Sequence, residues 1–188
     1  MMIESEIEMS YEFTETYQRN DNDFYIEPRW CIEALIKAIK FEGQIHDPAC
    51  GTGKIPLTFT AHGFTCTAHD LIDRGFGVSG IDYLKDTNIY DNIVTNPPYN
   101  KSELFIKRAL YNVTGRVAIL ARIAFLASQK RYELFTDYIT PEKVVILSRR
   151  PSMPPGGLGI IPQGGKTDFC WIVWNRNHIG PSEICWVL

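Results

Sequence analysis

Ile93-Val94-Thr95-Asn96-Pro97-Pro98-Tyr99-Asn100 lies just past the middle of a 188-residue chain, and its two halves obey different rules. The apolar run reads as a strand. Two successive prolines neither donate to a β-ladder nor continue into a helix, so the chain leaves the sheet rigidly at Asn96. Carbonyls beside the prolines then lack a partner within the element. The Asn96 side chain adds one acceptor and two donors, and Tyr99 adds a flat face. Such a strand end suits a planar group that bears an amine. It is equally the start of a turn, since Asn-Pro initiates turns. The flanking sequence bears on the choice.

Upstream, Gln44-Ile45-His46-Asp47-Pro48-Ala49-Cys50-Gly51-Thr52-Gly53-Lys54 is a short strand opening into a glycine-rich turn. A helix over 55–62 follows, with Pro56 tolerated because it falls in the first turn. Another helix precedes the strand: Pro28 leads it, Trp30, Cys31, Ala34, Leu35, Ala38 and Ile39 repeat at helical spacing, and Gly43 stops it. Further strand-like runs occupy 64–69, 78–81, 92–95, 115–123, 143–147 and 169–174, with helical patterns over 102–112 and 128–138. Strands alternating with helices predict an α/β fold of Rossmann-like type, a mainly parallel seven-stranded sheet with helices on both faces. Trp171 and Trp174 in the last run fit its core. Residues 24–188 make one domain, preceded by an acidic, polar arm over 1–23 with no sustained period, expected to be mobile.

In an open parallel sheet, ligands sit outside the carboxyl ends of the strands. Gly51 and Gly53 let backbone approach a ligand there, and Asp47 contributes a carboxylate. A P-loop fails on spacing, because Ile55 stands where Ser or Thr is needed and Pro48 at the earlier glycine position. The dinucleotide fingerprint fails because Pro56 occupies its third glycine position. An acid beside the turn repels a pyrophosphate and welcomes an ammonium, which points to S-adenosylmethionine rather than NAD or ATP. Asp70, just after the second strand, is placed to accept from ribose hydroxyls. Asp82, after Gly80-Ile81, is placed to accept from an adenine amino group. Each alone is also ordinary turn chemistry. Carboxylates at three successive strand ends, with Asn-Pro-Pro-Tyr on the fourth, favour a ligand site.

Composition is that of a globular domain without a membrane span or signal peptide. The five cysteines are odd in number, widely spaced and never in C-x-x-C pairs, which favours a reducing cytoplasm over a disulfide framework or zinc site. The four histidines (His46, His62, His69, His178) show no metal-ligand spacing, and no metal is expected. Net charge is −3, but residues 1–95 hold 7 Lys/Arg against 16 Asp/Glu (−9) and residues 96–188 hold 12 against 6 (+6). That asymmetry allows a basic working face on an acidic protein. Arg149, Arg150 and Lys166 bracket a Pro/Gly-rich loop over 149–166. With Lys101 they are candidates for phosphate contact, a solvated surface being the competing reading.

The ordered set Asp-Pro-Ala-Cys-Gly-Thr-Gly, Asp70, Asp82 and Asn-Pro-Pro-Tyr resembles the amino-group methyltransferases, particularly the DNA adenine-N6 methyltransferases, over about residues 24–175. Lacking room for a large target-recognition region, the chain looks like their compact phage and prophage members. The resemblance implies that S-adenosylmethionine is held by Tyr25, Pro28 and Trp30 in the N-terminal segment. It adds Asp47, Ala49, Cys50, Gly51 and Gly53 in the glycine loop, then Asp70, Asp82, Tyr83 and Asn96. It implies Asn96, Pro97, Pro98 and Tyr99 as the catalytic motif, and 167–174 as a strand facing the target base. On that reading the Asn96 side-chain oxygen and the Pro97 carbonyl accept the two amine hydrogens, pulling the nitrogen toward tetrahedral geometry. Its lone pair then faces the sulfonium methyl, so positioning and electrostatics carry the catalysis. Tyr99 would stack on the extruded base, with Leu104 and Phe105 as pocket walls or, equally, core. DNA is the implied partner, with RNA an alternative and a partner protein or second copy supplying recognition. Protein-glutamine methylation and a catalytically silent cofactor-binding subunit are the remaining alternatives.

Overall fold

A computed structural model describes residues 24–156 and 164–188. The acidic arm expected over 1–23 lies outside those residues, as does the middle of the 149–166 loop. Three α-helices are present among the described residues: α1 (Arg29–Ala38), α2 (Lys54–Ala61) and α3 (Ser102–Asn112). The strands are β1 (Ile45–Asp47), β2 (Cys66–Asp70), β3 (Val78–Ser79), β4 (Asn92–Thr95), β5 (Arg116–Arg122), β6 (Lys143–Leu147), β7 (Phe169–Asn175) and β8 (Glu183–Val187). They form one sheet in the order β3-β2-β1-β4-β5-β7-β6-β8. Pairing is parallel from β3 through β5 and between β6 and β8; β7 runs antiparallel to both its neighbours.

The central strands are apolar on both faces because two cores cover them. Val94, Leu120, Trp171 and Val173 face one way, onto Ile32, Leu35 and Phe59 of α1 and α2. Ile93, Ile119, Ile172 and Trp174 face the other way, onto Phe105, Ile106 and Ala109 of α3. Trp171 is fully buried and its indole N–H donates to the Cys31 carbonyl at 2.8 Å, so the largest core side chain also ties β7 to α1.

Two expectations are corrected. Among the described residues the sheet has eight strands, not seven: β8 is an outer strand whose Ile184 and Trp186 are 57% and 69% exposed, so no buried apolar run marks it. The helix expected over 128–138 is instead a 3₁₀ turn at Gln129–Arg131 and a π-helical turn at Leu134–Tyr138. Leu134 and Phe135 both reach the core, whereas neighbours on a regular helix diverge by about 100°. Smaller differences follow from backbone geometry. Helix α1 ends at Ala38, and Gly43, at φ +84°, serves the turn into β1 instead. Strand β3 stops at Ser79 because Gly80 takes φ +81°. No helix among the described residues is long and apolar enough to cross a membrane.

Candidate active site

Strand β1 pairs with β2 on one side and β4 on the other, so the strand order reverses there. Crevices form at the carboxyl ends of strands flanking such a switch. Asp47 closes β1 and Asn96 follows β4, and both line an open cleft of about 990 Å³ that includes solvent at its mouth.

The glycine turn is built for close approach. Gly51 has φ +53° and a Cβ there would sit 2.5 Å from the Phe24 ring; Gly53 has φ +82° and a Cβ there would sit 2.5 Å from the Phe76 ring. Gly53 is also the residue from which α2 starts. Backbone amides pin the acids of the turn. Asp70 accepts from Gly51 N–H and Ile72 N–H, each at 2.9 Å, and Asp47 accepts from Ala49 N–H at 3.2 Å. Asp82 stands three residues beyond β3, where it caps a 3₁₀ turn through Leu84 N–H at 3.2 Å and pairs with Lys85 at 3.5 Å. Tyr83 is 2% exposed and lines the cleft beside it.

Asn96 is held by a residue that no sequence motif singled out. Its amide nitrogen donates to the Tyr25 carbonyl at 3.1 Å and to a Glu27 carboxylate oxygen at 2.9 Å. Two acceptors on one side decide which way the amide faces. The amide oxygen is left buried without a hydrogen-bond partner. A buried acceptor in that condition is costly unless a ligand donor completes it.

Electrostatics favour a cationic guest. Glu27 is 7% exposed, and burial raises its carboxyl to about 7, against the pull of the Asn96 hydrogen bond. Burial likewise raises Asp47 well above the usual carboxylate range, with Glu27 and Asp70 adding repulsion. Lys54 and Arg74 also line the cleft. Burial pushes the Cys50 thiol up to about 12, which removes it as a nucleophile near neutral pH. The remaining walls include Leu71, Ile72, Ile81 and Phe105, an apolar flank suited to a flat heterocycle.

Of the candidates, Tyr25, Asp47, Ala49, Cys50, Gly51, Asp70, Asp82, Tyr83, Asn96, Pro98 and Lys101 line this one cleft. Pro28, Trp30, Gly53, Pro97 and Tyr99 do not. Pro28 precedes α1, and Trp30 packs against the core beneath the Arg149 guanidinium, 5.3 Å from its ring. The Tyr99 ring stacks on Tyr25 at 5.3 Å, lies 5.0 Å from the Arg122 guanidinium, and directs its hydroxyl to the Met153 sulfur at 3.4 Å. Arg150 pairs with Asp168 at 2.7 Å, and Lys166 is exposed. Glu27 had no detectable signal beyond its place in the aromatic segment before α1.

No protein-family model matches the chain, and no curated protein matches it. Solved structures do. A protein from Vibrio vulnificus YJ016 described as the modification subunit of a type I restriction enzyme superposes at TM-score 0.63 and 13% identity over 98% of this chain. This chain spans only 50% of that subunit. A protein from Pyrococcus horikoshii described as an RNA methyltransferase gives TM-score 0.60 at 12% identity, covering 93% of this chain and 98% of that one. Magnesium protoporphyrin IX methyltransferase from Synechocystis PCC 6803, solved with bound S-adenosylmethionine, gives TM-score 0.54 at 9% identity over 79% of each chain. The fold is that of the S-adenosylmethionine-dependent methyltransferases. The candidate cleft sits at that fold's topological switch, beside the glycine turn.

Proposed function

We propose that the protein binds S-adenosylmethionine and transfers its methyl group to the exocyclic N6 amine of adenine in DNA. The observation that carries this reading is the Asn96 side-chain oxygen, a buried acceptor without a partner whose orientation is set by Tyr25 and Glu27. The cofactor fits the residues present. Buried carboxylates of Glu27, Asp47 and Asp70 suit a cationic, hydroxyl-bearing ligand, and the glycine turn admits it closely. When bound, it supplies an electrophilic methyl on a sulfonium.

The chain's own residues then orient the amine. Asn96 Oδ1 accepts one N–H and the Pro97 carbonyl the other, which localises the nitrogen lone pair toward the cleft. The new N–C bond forms as the C–S bond breaks, and the amine's surplus proton passes to solvent. For the base to stack on Tyr99, the exposed Arg122 guanidinium moves off the ring, while Tyr25 stays stacked on it. Lys101 at the cleft, with Arg149 and Lys166 outside its lining, supplies phosphate contacts; Arg150 does so only on leaving Asp168. Sequence recognition falls to a partner protein or a second copy. A cytoplasmic location follows from this substrate.

Purified protein is incubated with unmethylated DNA and labelled cofactor, and nucleosides are read by mass spectrometry. N6-methyladenine is expected. Label found only in glutamine or only in RNA sinks the DNA assignment. RNA adenine is the second reading, favoured by one observation: the chain matches nearly the whole length of the neighbour described as an RNA methyltransferase.

A further inference from the structure

The residues next to Asp47 and Asp70 point away from the cleft, because side chains alternate along a strand. On that opposite face His46 of β1 and His69 of β2 are 3% and 6% exposed, with ring centroids 4.7 Å apart. Asp86, 8% exposed, reaches them from the end of the turn at Tyr83–Lys85. One ligating atom from each of the three lies within 4.8 Å of the other two.

The hydrogen bonds around this group leave it incomplete. His46 Nδ1 and the Thr67 hydroxyl are hydrogen-bonded at 2.9 Å. His46 Nε2 is buried without a partner. His69 Nε2 is buried without a partner as well. Asp86 is already oriented: it accepts from the backbone and side-chain N–H groups of Asn88 at 2.9 and 2.8 Å and from the Tyr90 hydroxyl at 2.5 Å. The Tyr90 ring in turn stacks on His46 at 3.8 Å. Among the described residues no lysine or arginine pairs with Asp86. Two buried imidazoles, each with a partnerless Nε2, and a carboxylate without a cationic partner thus offer ligating atoms within 4.8 Å of one another.

We propose that His46, His69 and Asp86 form a binding site for a single divalent transition-metal ion of the zinc class. Atoms no more than 4.8 Å apart enclose a point at most about 2.8 Å from each, and zinc binds imidazole and carboxylate at about 2.0–2.2 Å. Shifts below about 1 Å close the site. Two imidazoles with one carboxylate suit zinc and its neighbours rather than magnesium or calcium, which take all-oxygen shells. Thr67, Asn88 and Tyr90 orient the ligands from behind, as outer partners do in metal sites. None of the three ligands lines the cleft. The ion braces β1, β2 and the turn after β3, which carry Asp47, Asp70 and Asp82 on the cleft side.

The full chain, stripped with a chelator, is titrated with zinc while thermal unfolding is followed, then with cobalt(II) while visible absorption is recorded. About one equivalent binds, zinc but not magnesium raises the melting temperature, and cobalt gives d–d bands without thiolate charge transfer. His46→Gln and Asp86→Asn each weaken zinc binding by at least about 10-fold, while the exposed His178→Gln leaves it unchanged. If His46→Gln does not fold, Asp86→Asn and the wild-type cobalt spectrum decide. Absence of saturable zinc binding, a thiolate spectrum, or full affinity in Asp86→Asn overturns the proposal.

Discussion

Replacing Glu27 by glutamine should make this protein more stable at alkaline pH while keeping its architecture. The wild-type carboxyl is 7% exposed and burial lifts it from 4.5 to about 7. Below about pH 4 the folded and unfolded chains both carry the proton, and the group adds no pH dependence. Between 4.5 and about 7 the folded state holds more protons than the unfolded one, so stability falls as pH rises. Above about 7 the loss is complete. At about 1.4 kcal/mol per pH unit, the span corresponds to about 3 kcal/mol. Glutamine still offers an oxygen to the Asn96 amide and never has to ionise. Urea unfolding of both proteins, from about pH 4 to about pH 8, should give a difference near zero at the acid end. At the alkaline end it should reach up to about 3 kcal/mol in favour of the variant. Asp47 slopes the same way, and the variant also lifts its repulsion with Glu27, so the difference reports Glu27 together with that coupling. Two parallel curves across that range would refute the reasoning.

Three other perturbations separate binding, chemistry and packing. Asn96→Ala removes the buried acceptor; turnover should drop about 10²–10³-fold with cofactor affinity changed only a few-fold by calorimetry, and unaltered kcat would remove its assigned role. Gly53→Ala puts a Cβ at φ +82° and 2.5 Å from Phe76. It should cost about 1–3 kcal/mol in denaturant unfolding and weaken cofactor binding. Trp171→Phe removes the indole N–H bond to the Cys31 carbonyl and should cost about 0.5–1.5 kcal/mol, with wild-type stability counting against that bond.

The parts of the fold legible in sequence were those whose signal is local. Strand β4 ends where Pro97-Pro98 removes donors, and α2 starts where Gly53 supplies a left-handed turn. The acids at the strand ends were legible for the same reason, and the structure gathers Asp47, Asp70 and Asp82 into one cleft. Parallel strands with short connections bring such ends together whatever the intervening sequence. What was not legible depends on pairs distant in the chain. Glu27 acquires meaning only by meeting Asn96, 69 positions away. His46 and His69 show no ligand spacing along the chain, yet adjacent parallel strands place them edge to face. Strand β8 was missed because an exposed outer strand carries no buried apolar run. Trp30, on the repeating apolar face of its helix, packs against the core, and its resemblance to a cofactor segment is a matter of position along the chain.

Residues 24–27 form a crosspiece between two parts of the molecule. On one edge, Phe24 O accepts from Gly156 N–H at 2.9 Å, Ile26 N–H donates to Pro154 O at 3.2 Å, and Tyr25 bridges to Pro155. On the other edge, the Tyr25 carbonyl and the Glu27 carboxylate hold the Asn96 amide. The loop after β6 and the amide after β4 are therefore mechanically in series through four residues. A displacement of residues 154–156 would act on the same four residues that orient the Asn96 amide. The loop after β6 and the orientation of the Asn96 amide thus share one short support.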